Sequence, residues 1–117
     1  MRVQKFEDLD VWKISMSLSI SIHKALRDCK NFGFKDQIQR SSVSIPSNIA
    51  EGFERKSNKE YLYFLHVAQG SSAELRTQLY IAKQLGIIEE SESIDMIEAT
   101  RKISAKIYRL IQSRSQF

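Results

Sequence analysis

The sequence is short of the residues that break or staple a chain. It has one proline, four glycines and one cysteine in 117 residues. The single cysteine, Cys29, excludes an internal disulfide and any cysteine-based metal cluster. It falls on an apolar stripe, so a buried, inert thiol is expected. Histidine is limited to His23 and His66, both expected in or at the edge of the core. Ile20 and Tyr63 stand three residues before them, so the Glu-x-x-His motif of a di-metal helix bundle is missing. No HExxH, phosphate-binding loop or dinucleotide fingerprint is present. These absences point away from an enzyme and from any metal or cofactor, and no catalytic residue is assigned. Long apolar runs are also missing, which argues against a membrane span. The opening Met1-Arg-Val-Gln-Lys-Phe-Glu-Asp8 lacks the apolar run of a signal peptide. A cytoplasmic protein with no membrane partner is the expectation.

What is present is ordinary for a folded domain. Hydrophobic residues make up 42% and charged residues 27% of the chain, which argues against disorder. The length suits one domain over residues 1–117, burying about two-thirds of its unfolded surface. The net charge of +4 permits a polyanionic partner without demonstrating one.

Strand patterns are absent and helical periodicity runs through most of the chain. The pattern predicts an all-α, antiparallel up-down four-helix bundle with helices at about 8–30, 35–56, 58–85 and 92–114. Asp8 is the expected N-cap of the first helix. Val11, Ile14, Leu18, Ile22, Ala25 and Cys29 form one apolar stripe on it. Leu9, Trp12, Met16, Ile20, His23 and Leu26 form a second beside the first, wide enough for a subunit interface as well as a core. Asn31-Phe-Gly-Phe34 is expected to end this helix, with Gly33 as its stop. The second helix contains Pro46, which removes an amide and crowds the carbonyl of Ser42. A kink is expected there, or a break at Ile45-Pro46, with serines 41, 42, 44 and 47 satisfying freed backbone groups. Ser57-Asn-Lys-Glu60 reads as a reciprocal capping box. Tyr61, Leu65, Ala68, Ser72, Leu75, Leu79 and Ala82 then alternate at spacings of four and three, the pattern of a bundle seam. Gly86 should stop this third helix. Ser91 or Ser93 should cap the fourth, where Glu89, Glu90, Glu92 and Asp95 complement the helix dipole. Met96, Ile103, Ile107 and Leu110 supply its inward face. The short connections favour sequential antiparallel neighbours.

Two polar features stand out. On the second helix Arg40, Ser44, Asn48, Glu51 and Arg55 fall on one face. This stripe is either a solvated face with helical ion pairs or a recognition and interface surface, since arginine suits phosphate and carboxylate contacts. On the fourth helix Lys102, Lys106 and Arg109 share a face, with Arg101 beside them. Tyr61, Tyr63, Tyr80 and Tyr108 could stack on bases wherever they are exposed.

The segment Gln37-Ile-Gln-Arg-Ser-Ser-Val-Ser-Ile-Pro-Ser-Asn-Ile-Ala-Glu-Gly52 closely resembles the signature of the four-helix bundle proteins encoded in 23S ribosomal RNA intervening sequences. Phe6-Glu-Asp-Leu-Asp-Val-Trp12 is similar to that family's opening, Ala68-Gln-Gly-Ser-Ser-Ala-Glu-Leu75 to its third helix, and Leu85-Gly86-Ile87 to its following link. One departure is the stretch Asn31–Lys35, where the family usually carries a proline and a glutamate. The resemblance implies a four-helix bundle assembled into a ring-like homo-oligomer, typically of five subunits. It also implies similarity to the accessory proteins of diversity-generating retroelements, basic rings that bind nucleic acid and a reverse transcriptase. The matching polar positions here are Arg40, Ser44, Asn48, Glu51, Gly52 and Arg55, with Glu74 on the third helix. Two readings follow: an oligomer that binds RNA or DNA, and a protein-interaction scaffold with no nucleic-acid role.

Overall fold

The computed structural model describes residues 3–116; Met1 and Arg2 of the opening segment, and Phe117, lie outside them. The described residues form four α-helices and no strand: α1 (Asp10–Ala25), α2 (Phe32–Phe53), α3 (Asn58–Gln84) and α4 (Glu90–Arg114). A 3-10 turn, Phe6–Asp8, leads into α1.

The helix ends depart from expectation in instructive ways. Asp8 does not cap α1, because it is taken up in the 3-10 turn; extended Leu9 holds the N-cap position with no side-chain bond. α1 stops at Ala25, well before residue 30. The role expected of Asn31-Phe-Gly-Phe34 is reversed. The Asn31 side chain accepts from the Phe34 amide at 3.3 Å and caps α2, so Gly33 lies in the first turn of α2 and stops nothing. Asparagine is a strong N-cap, and its side chain satisfies an amide that a glycine stop would leave open.

α2 continues through Pro46 as one helix, so the break at Ile45-Pro46 does not occur. Ser41 and Ser42 donate to the carbonyls of Gln37 and Gln39, at 3.1 and 2.8 Å, and the Asn48 amide donates to the Ser44 carbonyl at 2.8 Å. No side chain among the described residues reaches the Ser42 carbonyl, so the serines do not repair the proline gap.

Half of the Ser57–Glu60 box forms. The Ser57 hydroxyl accepts from the Glu60 amide at 3.1 Å. The Glu60 carboxylate accepts a hydrogen bond from the Ser57 hydroxyl at 3.0 Å instead of returning to the amide, and Arg55 donates to its other oxygen. At the far end Gly86 adopts φ +69. The amides of Gly86 and Ile87 bond back to the carbonyls of Lys83 and Ala82, the paired pattern of a Schellman stop. Neither Ser91 nor Ser93 caps α4: Glu89 occupies that position, Ser91 donates to the Glu89 carboxylate, and buried Ser93 donates to the Ile88 carbonyl.

One hydrophobic cluster draws on all four helices. Every residue of the α3 seam is buried. Ile22, Ile38, Ile45, Ile49, Leu65, Leu75, Ile103 and Ile107 are sealed from solvent, and each contributes about 1.5–3 kcal/mol relative to exposure. The core stripe of α1 is as expected at Val11, Leu18 and Ile22, whereas Cys29 is only half-buried. The second stripe faces outward at Met16 and Ile20. His23 and His66 are exposed, not core residues; they sit on turns of α1 and α3 that face away from the cluster.

The side-chain contacts order the helices. Along α3, Asn58, Gln69, Ser72 and Arg76 reach Arg114, Ser104, Ser104 and Thr100 of α4. Gly52 near the end of α2 touches Tyr61 and Phe64 near the start of α3. At mid-height three hydroxyl pairs join successive helices: Ser19 with Ser42 at 2.9 Å, Ser44 with Ser71 at 2.8 Å, and Ser72 with Ser104 at 2.8 Å.

Candidate nucleic-acid interface

The polar stripe of α2 is present but internally engaged. Arg40 is well exposed and pairs with Asp36, one turn earlier, at 2.9 Å. Ser44 bonds Ser71 across the α2–α3 boundary and receives the Asn48 amide at 3.0 Å. Arg55 pairs with Glu51 at 2.8 Å and with Glu60 at 3.5 Å, and lies 4.9 Å over the Phe64 ring. Glu74 is exposed and shares a shallow groove with Gln37, Arg40, Ser41 and Ser44. The stripe thus gathers Arg40, Ser44 and Glu74 at one groove and leaves Glu51 and Arg55 in a separate cluster. Both its arginines are already charge-matched. Exposed pairs of this kind contribute about 0.2–1 kcal/mol each.

The α4 face differs. Lys102 and Arg109 are exposed and make no ion pair among the described residues, and they lie seven residues apart on one side of the helix. Lys106 between them pairs with Asp10 of α1 at 2.6 Å. Arg101 pairs with Glu98 at 3.1 Å and donates to the Tyr80 hydroxyl at 2.6 Å. Tyr63, Tyr80 and Tyr108 are all exposed, whereas Tyr61 is buried and has no free face for a base. Exposed cations of this kind can contact phosphates, and exposed phenol rings can stack on bases.

A third polar cluster has no counterpart in the sequence expectations. Half-buried Arg76 donates to the Thr100 hydroxyl at 2.9 Å, the Thr100 carbonyl at 3.3 Å and the Ser104 hydroxyl at 2.7 Å. Ser72 joins the same group. The available signal was an arginine directly after the seam residue Leu75. An arginine there reaches across a helix boundary when the facing helix supplies hydroxyls and carbonyls. No His, Cys, Asp or Glu grouping among the described residues has metal-site geometry. No described helix is long and apolar enough to cross a membrane.

The fold is similar to that of a protein of unknown function from the S23 ribosomal protein family of Bacteroides thetaiotaomicron. The TM-score is 0.81 at 21% identity, over 86% of this chain and 97% of that one. No curated protein matches the chain. The family described as 23S rRNA-intervening sequence protein matches residues 7–109, beyond the segments that carry the motifs, and the chain belongs to that family.

Proposed function

We propose that this chain is a non-enzymatic, antiparallel up-down four-helix bundle that assembles into a homo-oligomer, with five subunits as the number to test, and binds nucleic acid through α4. The descending order of α4 partners along α3 supports the antiparallel reading. The observation that carries the binding reading is the exposed Lys102 and Arg109, without an ion pair among the described residues, on the helix that also exposes Tyr108. The family's description refers to an intervening sequence of 23S rRNA, which favours structured RNA as the first ligand.

Fluorescence anisotropy with structured RNA and with duplex DNA, from about 50 to 200 mM salt, tests the reading, since phosphate contacts make affinity fall steeply over that range. Replacing Lys102 and Arg109 with glutamine is expected to weaken binding and to flatten the log–log salt slope by roughly 2. Lys106→Gln should matter less, because Asp10 already neutralises that ammonium. Equal affinity in the double variant would remove the α4 face from the interface. A second reading, a protein-interaction scaffold, draws on exposed Met16 and Ile20; absence of any RNA or DNA binding at the lowest salt would favour it.

A further inference from the structure

Hydroxyl pairs join each helix to the next from α1 to α4, but none is found among the described residues where α4 meets α1. The Lys106–Asp10 ion pair crosses that boundary near one end. Between this pair and the start of α4 the boundary opens into a groove of about 490 Å³. Part-buried Ile14 and Ala99 floor it, over the nearly sealed Leu18 and Met96. Exposed Ser17 and Ser21 line its α1 edge one turn apart and are small enough to leave it open. Exposed Glu92 and Asp95 form its α4 edge, and Lys13 closes the far end. Neither carboxylate makes an ion pair among the described residues.

The outward side of α1 carries the complementary features. Met16 and Ile20 are exposed one turn apart, and Lys24 follows one turn later. Lys24, and Arg27 just beyond the helix end, are exposed and make no ion pair among the described residues. An apolar ridge leading into free cations thus matches, in the same order, an apolar floor leading into free carboxylates.

We propose that the groove between α1 and α4 receives the Met16–Ile20–Lys24 ridge of a second copy of the chain. This contact rests on the homo-oligomer reading above and supplies its two surfaces. The register supports it. Lys106 opposite Asp10 aligns α1 with α4, and in antiparallel helices each residue along α1 matches one residue back along α4. Ile20 thus stands level with Met96, and Lys24 with Glu92. Copies related by rotation about an axis along the bundle stay at one height. Ile20 of one copy then meets the apolar floor of the next while its Lys24 meets the acidic edge.

The placement of the two surfaces also favours closure. α1 packs against both α2 and α4. The ridge lies beside α2, where Val43 is exposed, and the groove lies beside α4. Adjacent sides of a four-helix bundle look out about a quarter-turn apart. The contact is therefore heterologous, and at one height such a turn closes a small ring instead of extending a filament. Lys102 and Arg109 do not line the groove and stay open to a polyanion.

Light scattering and cysteine cross-linking of the full chain test the contact. Ile20→Lys on the ridge, and Glu92→Lys with Asp95→Lys on the groove edge, change only exposed side chains, and circular dichroism should show both variants folded. Each is expected to raise the concentration needed for assembly about tenfold or more. With Cys29→Ser removing the native thiol, Ile20→Cys and Ala99→Cys in one chain should oxidise to a ladder of covalent multimers. Chains carrying one cysteine each should give only dimers, and only when the two kinds are mixed. A wild-type chain that stays at 13.6 kDa at every concentration refutes assembly itself, and this contact with it. An assembled wild type in which either charge-bearing variant keeps full mass overturns the contact and leaves assembly standing. So does an assembled wild type with no cross-link between positions 20 and 99, or with Ile20→Cys chains linking to one another, which would place ridge against ridge.

Discussion

Gly52 sits where α2 passes close against α3. A Cβ there would lie 2.8 Å from Phe64 Cβ and 3.0 Å from Tyr61 Cδ1. Phe64 Cβ is one bond from its backbone, so relief means moving a helix. Alanine would gain about 1 kcal/mol of helix propensity but incur an overpacking cost of about 1–3 kcal/mol. Gly52→Ala is expected to destabilise by up to about 2 kcal/mol in urea unfolding; equal or greater stability would show that the helices part freely. Tyr61 adds a pH signature. Its pKa is raised by burial above 10.0, so the folded chain holds a proton that the unfolded chain releases. That contribution is intact below pH 10 and is lost as pH rises through the folded-state value. Tyr61→Phe should therefore narrow the alkaline loss of stability between about pH 9 and 11; identical pH profiles would contradict the assignment. At this scale the sequence shows that Gly52 and Tyr61 are present on helical faces. It does not show that they meet, because contact depends on how two helices cross.

At the scale of elements, α3 was legible throughout. Its seam alternates without a break, Ser57 caps it and Gly86 stops it. Ser57→Ala should cost about 1 kcal/mol, read by denaturant unfolding; no loss would mean that the Arg55–Glu60 pair carries this helix start alone. The ends of α1, α2 and α4 were less legible. Asn31 was compatible with stopping one helix or starting the next, and only the course of the chain decides. Ser91 and Ser93 looked like caps, but the backbone turned helical one residue before the first of them, at Glu90. Pro46 leaves the Ser42 carbonyl without its helical amide. If α2 bends there, residual dipolar couplings should give residues 32–45 and 46–53 two axes in the wild type and one in Pro46→Ala. A single axis in both would remove the bend.

For the whole molecule, the apolar pattern identified the core but not what lies against the outside. Met16 and Ile20 are 37% and 47% exposed on α1, and Val43 on the adjacent α2 is 46% exposed. This is the surface that an oligomer would cover. Light scattering at micromolar concentration is expected to give several times the 13.6 kDa of one chain, and Ile20→Lys should lower that mass. A wild-type mass of one chain would refute assembly. In the sequence both the α2 stripe and the α4 face were candidate recognition surfaces. Spacing reports which residues share a face and offers one-turn pairs such as Asp36 with Arg40, whereas the pairing of Arg55 with Glu60 and of Lys106 with Asp10 depends on reach in three dimensions.

The three mid-height serine pairs have a further consequence. Aliphatic contacts tolerate slippage: a helix displaced by one turn still meets leucine and isoleucine. A hydroxyl pair does not, because a slide of about 5.4 Å separates both oxygens beyond bonding distance. With one such pair at each successive helix boundary, the molecule carries an index mark at its waist that fixes how far each helix sits along its neighbour.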